Sequence, residues 1–318
     1  MLLFWIIVFV VSLVVLVKGA DWLIAAAEKI GLAAGLSPFI VGVTIVGAGT
    51  SFPELISSLA ATFRGVTEVV AANVIGSNIA NILLIIGVSA LMSKRLRVTK
   101  NLIDLDLPLL AISTVLLLGV VWDRQITLGE SILLLVSYAI YMAYTIIHVE
   151  ETEHAQTEQE QKEAKATRPK INVKDIVMLV VGIAALSFGA KYLVDALINL
   201  SSILDIATGV IAITAVAVGT SLPELLVSTK AALQNKSEVA IGNVLGSNVF
   251  NSLVVIGLPG LFKVLEVDAQ TFAIGVPTMA LATLLFVISG ISRQVHKWEG
   301  AFYLMVYTLF TAKLFNWF

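Results

Sequence analysis

The stretch Gly49-Thr50-Ser51-Phe52-Pro53-Glu54 sets a carboxylate, two hydroxyls and a helix-breaking proline inside an otherwise apolar segment. It recurs 170 positions later as Gly219-Thr220-Ser221-Leu222-Pro223-Glu224. A second block, Gly76-Ser77-Asn78 with Asn81, returns as Gly246-Ser247-Asn248 with Asn251. Residues 42–61 match 212–231 at ten of twenty positions, and 72–91 match 242–261 at ten of twenty, so the chain is an internal duplication that keeps its polar motifs. The chemistry on offer is coordination of a hard cation. A proline lacks the N–H of a helical hydrogen bond and clashes with the carbonyl four residues earlier, so Pro53 and Pro223 are expected to unwind the helix around Gly49 and Gly219. Carbonyls near 47–50 and 217–220 then become free, beside carboxylate and hydroxyl oxygens, and such all-oxygen sets suit Na⁺ and Ca²⁺. Asn73, Ser77 and Asn81 are spaced four apart, as are Asn243, Ser247 and Asn251, so each row lines one helix face.

These residues must be positioned by membrane spans. The 318 residues are 58% hydrophobic and 13% charged, with a mean hydropathy of +0.97, far from the composition of a soluble domain. Apolar runs of about 20 residues, the length that crosses a bilayer, are expected near 2–27, 38–63, 69–92, 105–122 and 127–149, then near 173–198, 207–231, 239–262, 270–290 and 297–317. The first run has no basic residue before it and continues through Trp22-Leu23-Ile24, so it reads as a retained span. The fold class expected is an all-α membrane protein of ten transmembrane helices, in two five-helix repeats, 1–149 and 173–318, with broken helices at the ion site. An odd number of spans per repeat makes the two repeats inverted. The charged stretch 150–172 joins them and reads as a solvated linker.

Fourteen lysines and arginines, from Lys29 to Lys297, fall on the linker side of this arrangement, against Arg64, Arg124, Lys263 and Lys313 on the other. The positive-inside rule makes the linker cytoplasmic and puts both termini outside, in a multi-pass cell-membrane protein. A net charge of −2 argues against a nucleic-acid partner, and the absence of cysteine excludes thiol catalysis and disulfides. No serine–histidine set, paired aspartates or histidine-rich motif lies in the spans, so the protein is not expected to be an enzyme or to need a cofactor. The partners expected are Ca²⁺, Na⁺ and the lipid bilayer, and nothing identifies a protein partner.

A charge at bilayer depth costs at least ~2.5–3.5 kcal/mol and normally faces a cavity or a partner. Glu54 and Glu224 lie nearest the centres of their spans, and two carboxylates meeting on a pseudo-twofold axis need protons or cations between them. Other features read more plainly. Asp21 aligns with Lys191 without keeping its charge sign, so both read as end-of-helix or interfacial groups; His148, His154 and His296 read as surface histidines. Trp5, Trp122, Trp298 and Trp317 read as interfacial anchors.

With G-T-S-x-P-E and N-x-x-G-S-N-x-x-N each present twice, the chain resembles the calcium/cation antiporter superfamily, and within it the prokaryotic sodium/calcium exchangers. The two blocks correspond to its alpha repeats, about 38–92 and 207–262. The resemblance implies that Glu54 and Glu224 bind Ca²⁺ together with the carbonyls of Thr50 and Thr220. It implies flanking Na⁺ positions built from Ser51, Ser77, Ser221, Ser247 and the carbonyls of Gly47 and Ala217, with Asn81 and Asn251 completing the centre. It further implies electrogenic exchange of several Na⁺ for one Ca²⁺ by alternating access. Potassium-dependent exchangers resemble this pattern but typically carry aspartate where this chain has Asn251, which disfavours potassium cotransport. Proton/calcium exchangers typically place a histidine after the glutamate motif, and here the expected spans hold none. A proton-coupled calcium exchanger is the nearest alternative and a potassium-dependent sodium/calcium exchanger the next; a cation channel is a reading from a different class, which inverted repeats with broken helices disfavour.

Overall fold

The structure, a computed structural model, describes residues 2–93, 96–97, 106–154, 169–203 and 221–315. Ten helical segments follow one another along these residues: α1 (Leu2–Ala33), α2 (Pro38–Arg64), α3 (Glu68–Met92), α4 (Leu107–Val120), α5 (Leu128–His154), α6 (Val173–Ile203), α7 (Leu222–Leu233), α8 (Ser237–Gly260), α9 (Thr271–Ile291) and α10 (Lys297–Leu314). Six of them, α1, α2, α3, α5, α8 and α9, are long and apolar enough to cross a membrane. The fold is all-α and spans the membrane many times, as the apolar runs predict.

Four two-residue strands join the loops: β1 (Leu96–Arg97), β2 (Gln125–Ile126), β3 (Leu265–Glu266) and β4 (Gln294–Val295). β1 pairs antiparallel with β4 (Leu96 opposite Val295), and β2 with β3 (Ile126 opposite Leu265). β1 and β2 flank α4 as β3 and β4 flank its repeat counterpart α9. The strand before α4 therefore meets the strand after α9, so the two equivalent helices run in opposite directions and the repeats are inverted. The helix ends repeat as well. Gly65 (φ 82°) closes α2 and Asn235 (φ 61°) closes α7, each in the left-handed conformation that ends helices, with Val66 N–H donating to the Ala61 carbonyl and Lys236 N–H to that of Ala231. Arg124 (φ 65°) and Arg293 (φ 60°) form a second such pair ahead of β2 and β4.

α1 and α6 pack along each other at the edge of the molecule. A methyl on Gly19 would sit 2.9 Å from the Ala185 Cβ and 3.2 Å from the Gly182 carbonyl oxygen, and one on Gly182 would sit 2.8 Å from the Leu23 nitrogen, so the backbones approach as small residues permit in membranes. Both helices run past the expected ends at 27 and 198, to Ala33 and Ile203. In α1 the added turns are solvated by charge: Lys29 pairs with Asp175 at 2.7 Å, and Glu28 with Lys236 at 2.6 Å. Asp21 lies well inside α1, where its carboxylate meets Lys230 at 2.6 Å while Lys230 also donates to the Val17 carbonyl. Asp21 is therefore not at a helix end, which corrects that half of its reading as an end-of-helix or interfacial group. Lys191 is likewise inside α6, its ammonium over the Tyr192 ring at 5.6 Å. His296 caps α10 through Glu299, exposed as expected, and Trp122 and Trp298 project from helix ends. Residues 155–168 of the linker lie outside the described residues.

Candidate functional site

The first glutamate motif breaks its helix at Ser51, two residues before Pro53, while Gly47–Thr50 stays helical instead of unwinding around Gly49 as expected; residues 204–220, ahead of the second motif, lie outside the described residues. Ser51 (φ −84°, ψ 4°) separates the two halves of α2, and Ser221 (φ −91°, ψ 11°) precedes α7. Pro53 and Pro223 then occupy the first turn of the helix that follows, the one place where a missing N–H costs nothing. Glu54 and Glu224 therefore stand in first turns, where the helix dipole favours negative charge. Among the described residues π-helical turns add irregular backbone, and the pair Ala80–Ile86 and Asn251–Val255 carries Asn81 and Asn251. Such widened turns concentrate at functional sites.

Both glutamates are completely buried, and their like charges lie within Coulombic reach of each other. Ser51 Oγ donates to Glu224 Oε1 at 3.1 Å, which ties the first motif to the second across the pseudo-twofold axis. Among the described residues neither carboxylate has a cationic partner, and both oxygens of Glu54 and Oε2 of Glu224 accept no hydrogen bond. An uncompensated buried carboxylate is costly enough to require a counter-ion or proton. Oxygen also outnumbers hydrogen nearby. The Thr50 hydroxyl has Asn243 Oδ1 at 3.0 Å, with the Gly47 carbonyl and Ser247 Oγ each at 3.3 Å, and Ser247 Oγ lies 3.2 Å from the same carbonyl. The two hydroxyl hydrogens serve Asn243 Oδ1 and the Gly47 carbonyl, which also accepts from the Ser51 N–H, and the lone pairs of the two hydroxyl oxygens remain. A cation bound by these oxygens satisfies them all, and the donor set of carboxylate, hydroxyl, amide and carbonyl oxygens is that of Na⁺ or Ca²⁺.

A cross of four asparagines extends the centre along the axis. Asn81 Nδ2 donates to Asn248 Oδ1 at 2.9 Å, and its repeat counterpart Asn251 donates to Asn78 Oδ1 at 3.3 Å. Asn78 also donates to Ser252 Oγ at 2.8 Å. With their amide hydrogens so engaged, Asn81 and Asn251 each keep an Oδ1 with no partner among the described residues, a further acceptor for a cation. A second pair of contacts braces the broken helices: Asn73 donates to Ser58 Oγ at 3.3 Å, and Asn243 to Ser228 Oγ at 2.8 Å.

Of the residues expected at the site, Gly47, Thr50, Ser51, Glu54, Ser77, Asn81, Ser221, Glu224, Ser247 and Asn251 are all buried around this centre. Ala217 and Thr220 lie outside the described residues. Sequence reasoning missed Asn78 and Asn248 as the partners in the cross, and Ser58 and Ser228 as braces. All four belong to identical positions of the duplication, and that identity is the signal that could have found them. Asn73 is half-exposed rather than buried with Ser77 and Asn81, because it faces a cavity of about 500 Å³. Ser57, Asn73, Ser77 and Ser221 form the polar edge of this cavity, while Tyr307, Phe310 and Leu314 of α10 close its far wall.

Comparison with known proteins places these features in context. The family model described as "Sodium/calcium exchanger protein" matches residues 4–147 and 174–316. The chain is 34% identical to the sodium/calcium exchanger MaX1 of Methanosarcina acetivorans over 97% of each chain, and 31% identical to the inner membrane protein YrbG of Escherichia coli over 88% of this chain and 86% of that one. Among solved structures, the sodium-calcium exchanger NCX_Mj soaked with zero Na⁺ and Ca²⁺ superposes with a TM-score of 0.79, covering 99% of this chain and 100% of that chain at 29% identity.

Proposed function

Because the chain belongs to the sodium/calcium exchanger family, we propose that it exchanges Na⁺ for Ca²⁺ across the cell membrane by alternating access. The observation that carries this reading is the pair of buried, counter-ion-free glutamates, ringed by unpartnered oxygens, beside a cavity. In this reading Ca²⁺ is held by Glu54, Glu224 and the carbonyls of Thr50 and Thr220. Na⁺ uses overlapping oxygens: Ser51, Ser77, Ser221, Ser247 and the carbonyls of Gly47 and Ala217, with Asn81 and Asn251 completing the centre. Competition for shared ligands makes the ions alternate rather than bind together. Two ionised glutamates carry −2, so one Ca²⁺ neutralises the site while three Na⁺ leave it at +1, and the cycle moves net charge.

The functional units of this reading are the repeats 1–149 and 173–318. The linker 150–172 is cytoplasmic and both termini face outside. Support comes from the loops that share a face: α1 Glu28 and Lys29, α6 Asp175 and Lys236 before α8 are linked by ion pairs on the lysine-rich side. The cavity is also lined by Thr271, Leu314 and Phe315, which belong to the opposite, poorly basic side in this reading.

The test is ⁴⁵Ca²⁺ uptake into proteoliposomes loaded with Na⁺, K⁺ or choline at fixed pH. Uptake with Na⁺ inside and none with K⁺ or choline is expected. Uptake driven by a pH gradient without Na⁺ would replace the reading with proton coupling, and flux that ignores the trans ion would make the protein a channel.

A further inference from the structure

The asparagine cross is built from identical residues in the two repeats, yet its two sides are not held equally. Asn78 and Asn248 are repeat counterparts, as are Asn81 and Asn251, and all four are buried. On one side the amide nitrogen of Asn78 faces three acceptors: Ser252 Oγ at 2.8 Å, the Asn248 carbonyl oxygen at 3.3 Å and Met279 Sδ at 4.0 Å. Its Oδ1 therefore points the other way and accepts from the Asn251 amide at 3.3 Å. On the other side Ile82 stands where the second repeat has Ser252, and Leu109 where it has Met279. Asn248 Oδ1 accepts from Asn81 at 2.9 Å, but the Asn248 Nδ2 finds no acceptor among the described residues. A buried amide hydrogen without an acceptor is rare and costly.

The difference decides which asparagine has a fixed orientation. A primary amide carries an acceptor oxygen on one branch and two donor hydrogens on the other. Turning the amides of Asn78 and Asn251 over together would keep the bond between them, but it would set Asn78 Oδ1 against the Asn248 carbonyl oxygen, which cannot donate, and would forfeit the shorter bond to Ser252. Asn251 is thus held with its Oδ1 unpartnered, the orientation a cation requires. Turning Asn81 and Asn248 over together forfeits nothing. The bond between them re-forms with donor and acceptor exchanged, and Asn81 then presents hydrogens, which repel a cation. We propose that Ser252 is a positioning residue for Na⁺, acting through Asn78 to keep the Asn251 oxygen turned toward the ions, whereas Ile82 leaves the Asn81 oxygen unheld. The inference rests on the exchange reading above, in which both asparagines complete the Na⁺ ligand set. Asn251 is then the stronger Na⁺ ligand of the two, and Ser252 itself touches no ion.

The experiment uses the full chain in detergent. Bound ⁴⁵Ca²⁺ is displaced by Na⁺, and each Na⁺ inhibition constant is corrected for that variant's own Ca²⁺ affinity. Ser252→Ala, which removes only the hydroxyl oxygen, is expected to raise the Na⁺ constant at least about threefold, the worth of one buried hydrogen bond. In an Asn251→Ala background the same substitution is expected to change it by less than about 1.5-fold, because the residue it acts through is gone. An unchanged constant in the single variant would overturn the inference. So would an equal rise in both backgrounds, the result that a role in packing alone predicts. Ile82→Thr keeps the branched shape and offers Asn248 an acceptor, so it is expected to lower the Na⁺ constant and to make Asn81→Ala cost as much as Asn251→Ala. No change in Ile82→Thr would also overturn the inference, and this variant supplies the test should Ser252→Ala fail to fold. A wild type whose bound ⁴⁵Ca²⁺ ignores Na⁺ would instead remove the exchange reading, a result distinct from wild-type competition that Ser252→Ala leaves intact.

Discussion

The centre of the molecule and its α1–α6 edge are built to opposite specifications. In the most apolar 18-residue stretch of α8 94% of the residues are buried within the protein, whereas in that of α1 the share is 17%. The centre is held by hydrogen bonds with defined partners, such as Asn81 to Asn248 and Ser51 to Glu224. The edge pair is bound to itself by small residues and to the rest by a few ties, Asp21 to Lys230, Glu28 to Lys236, and Leu23 and Ile183 beside Gly49. A site that must recognise ions needs fixed ligands. Contacts between small residues along lipid-facing helices, such as α1 and α6, are instead cheap to exchange.

The comparison is broken most severely at the centre. Glu54→Gln and Glu224→Gln each remove half of the site's charge and are expected to cut exchange by more than the ~100-fold that losing an outer partner of a metal ligand costs. Insertion and folding, followed by size-exclusion profile, should be retained. Exchange within tenfold of wild type in either variant would refute the assignment of the centre as the ion site.

Charge at the centre also has an electrical signature that the neutral edge lacks. With three Na⁺ per Ca²⁺, each 100 mV inside-negative should favour Na⁺ entry and Ca²⁺ extrusion by ~2.3 kcal/mol, about 50-fold in the equilibrium Ca²⁺ ratio. Potentials set with K⁺ and valinomycin, after checking that K⁺ alone supports no exchange, test this. A ratio independent of voltage would mean an electroneutral cycle.

Two substitutions sharpen the contrast in stability. Asn78→Ala strands the amide of Asn251 and the hydroxyl of Ser252, and is expected to cost about 1–3 kcal/mol, visible as a lower melting temperature in detergent. At the edge, Lys230→Met and Lys236→Met are expected to cost no more than about 1 kcal/mol each, since both lysines are partly exposed and pairs of that kind contribute little. Ca²⁺ half-saturation should be unchanged in the lysine variants. An edge substitution that costs as much as Asn78→Ala would show that α1 and α6 belong to the rigid centre.

How much was legible follows from where the signals reside. Glu54 and Glu224 stood out in the sequence because a carboxylate in an apolar span has few bland explanations, and the prolines located the breaks that Ser51 and Ser221 display. The places of the spans also followed from composition, because a bilayer demands a nearly constant apolar length, whereas the extra turns of α1 and α6, to Ala33 and Ile203, did not. The ion pair of Asp21 was not legible, for the converse reason. Its partner Lys230 lies 209 positions away, and no local pattern encodes which helix a charge will meet.

Inversion of the repeats was implied by the parity of the span count, and the pairing of β1 with β4 and β2 with β3 displays it in three dimensions. The asparagine cross is different in kind. Both repeats carry the same Gly-Ser-Asn, and only the crossing of α3 with α8 decides that Asn81 meets Asn248 rather than another polar neighbour. The sequence by itself determined the duplication, the broken helices and the residues able to bind a cation, because those depend on local chemistry and on the length of an apolar run. Tertiary structure decided what those residues meet. Gly246 shares its Gly-Ser-Asn with Gly76, yet its packing against the Val43 backbone, 203 positions away, is set by how α8 crosses α2, and no local pattern encodes that crossing.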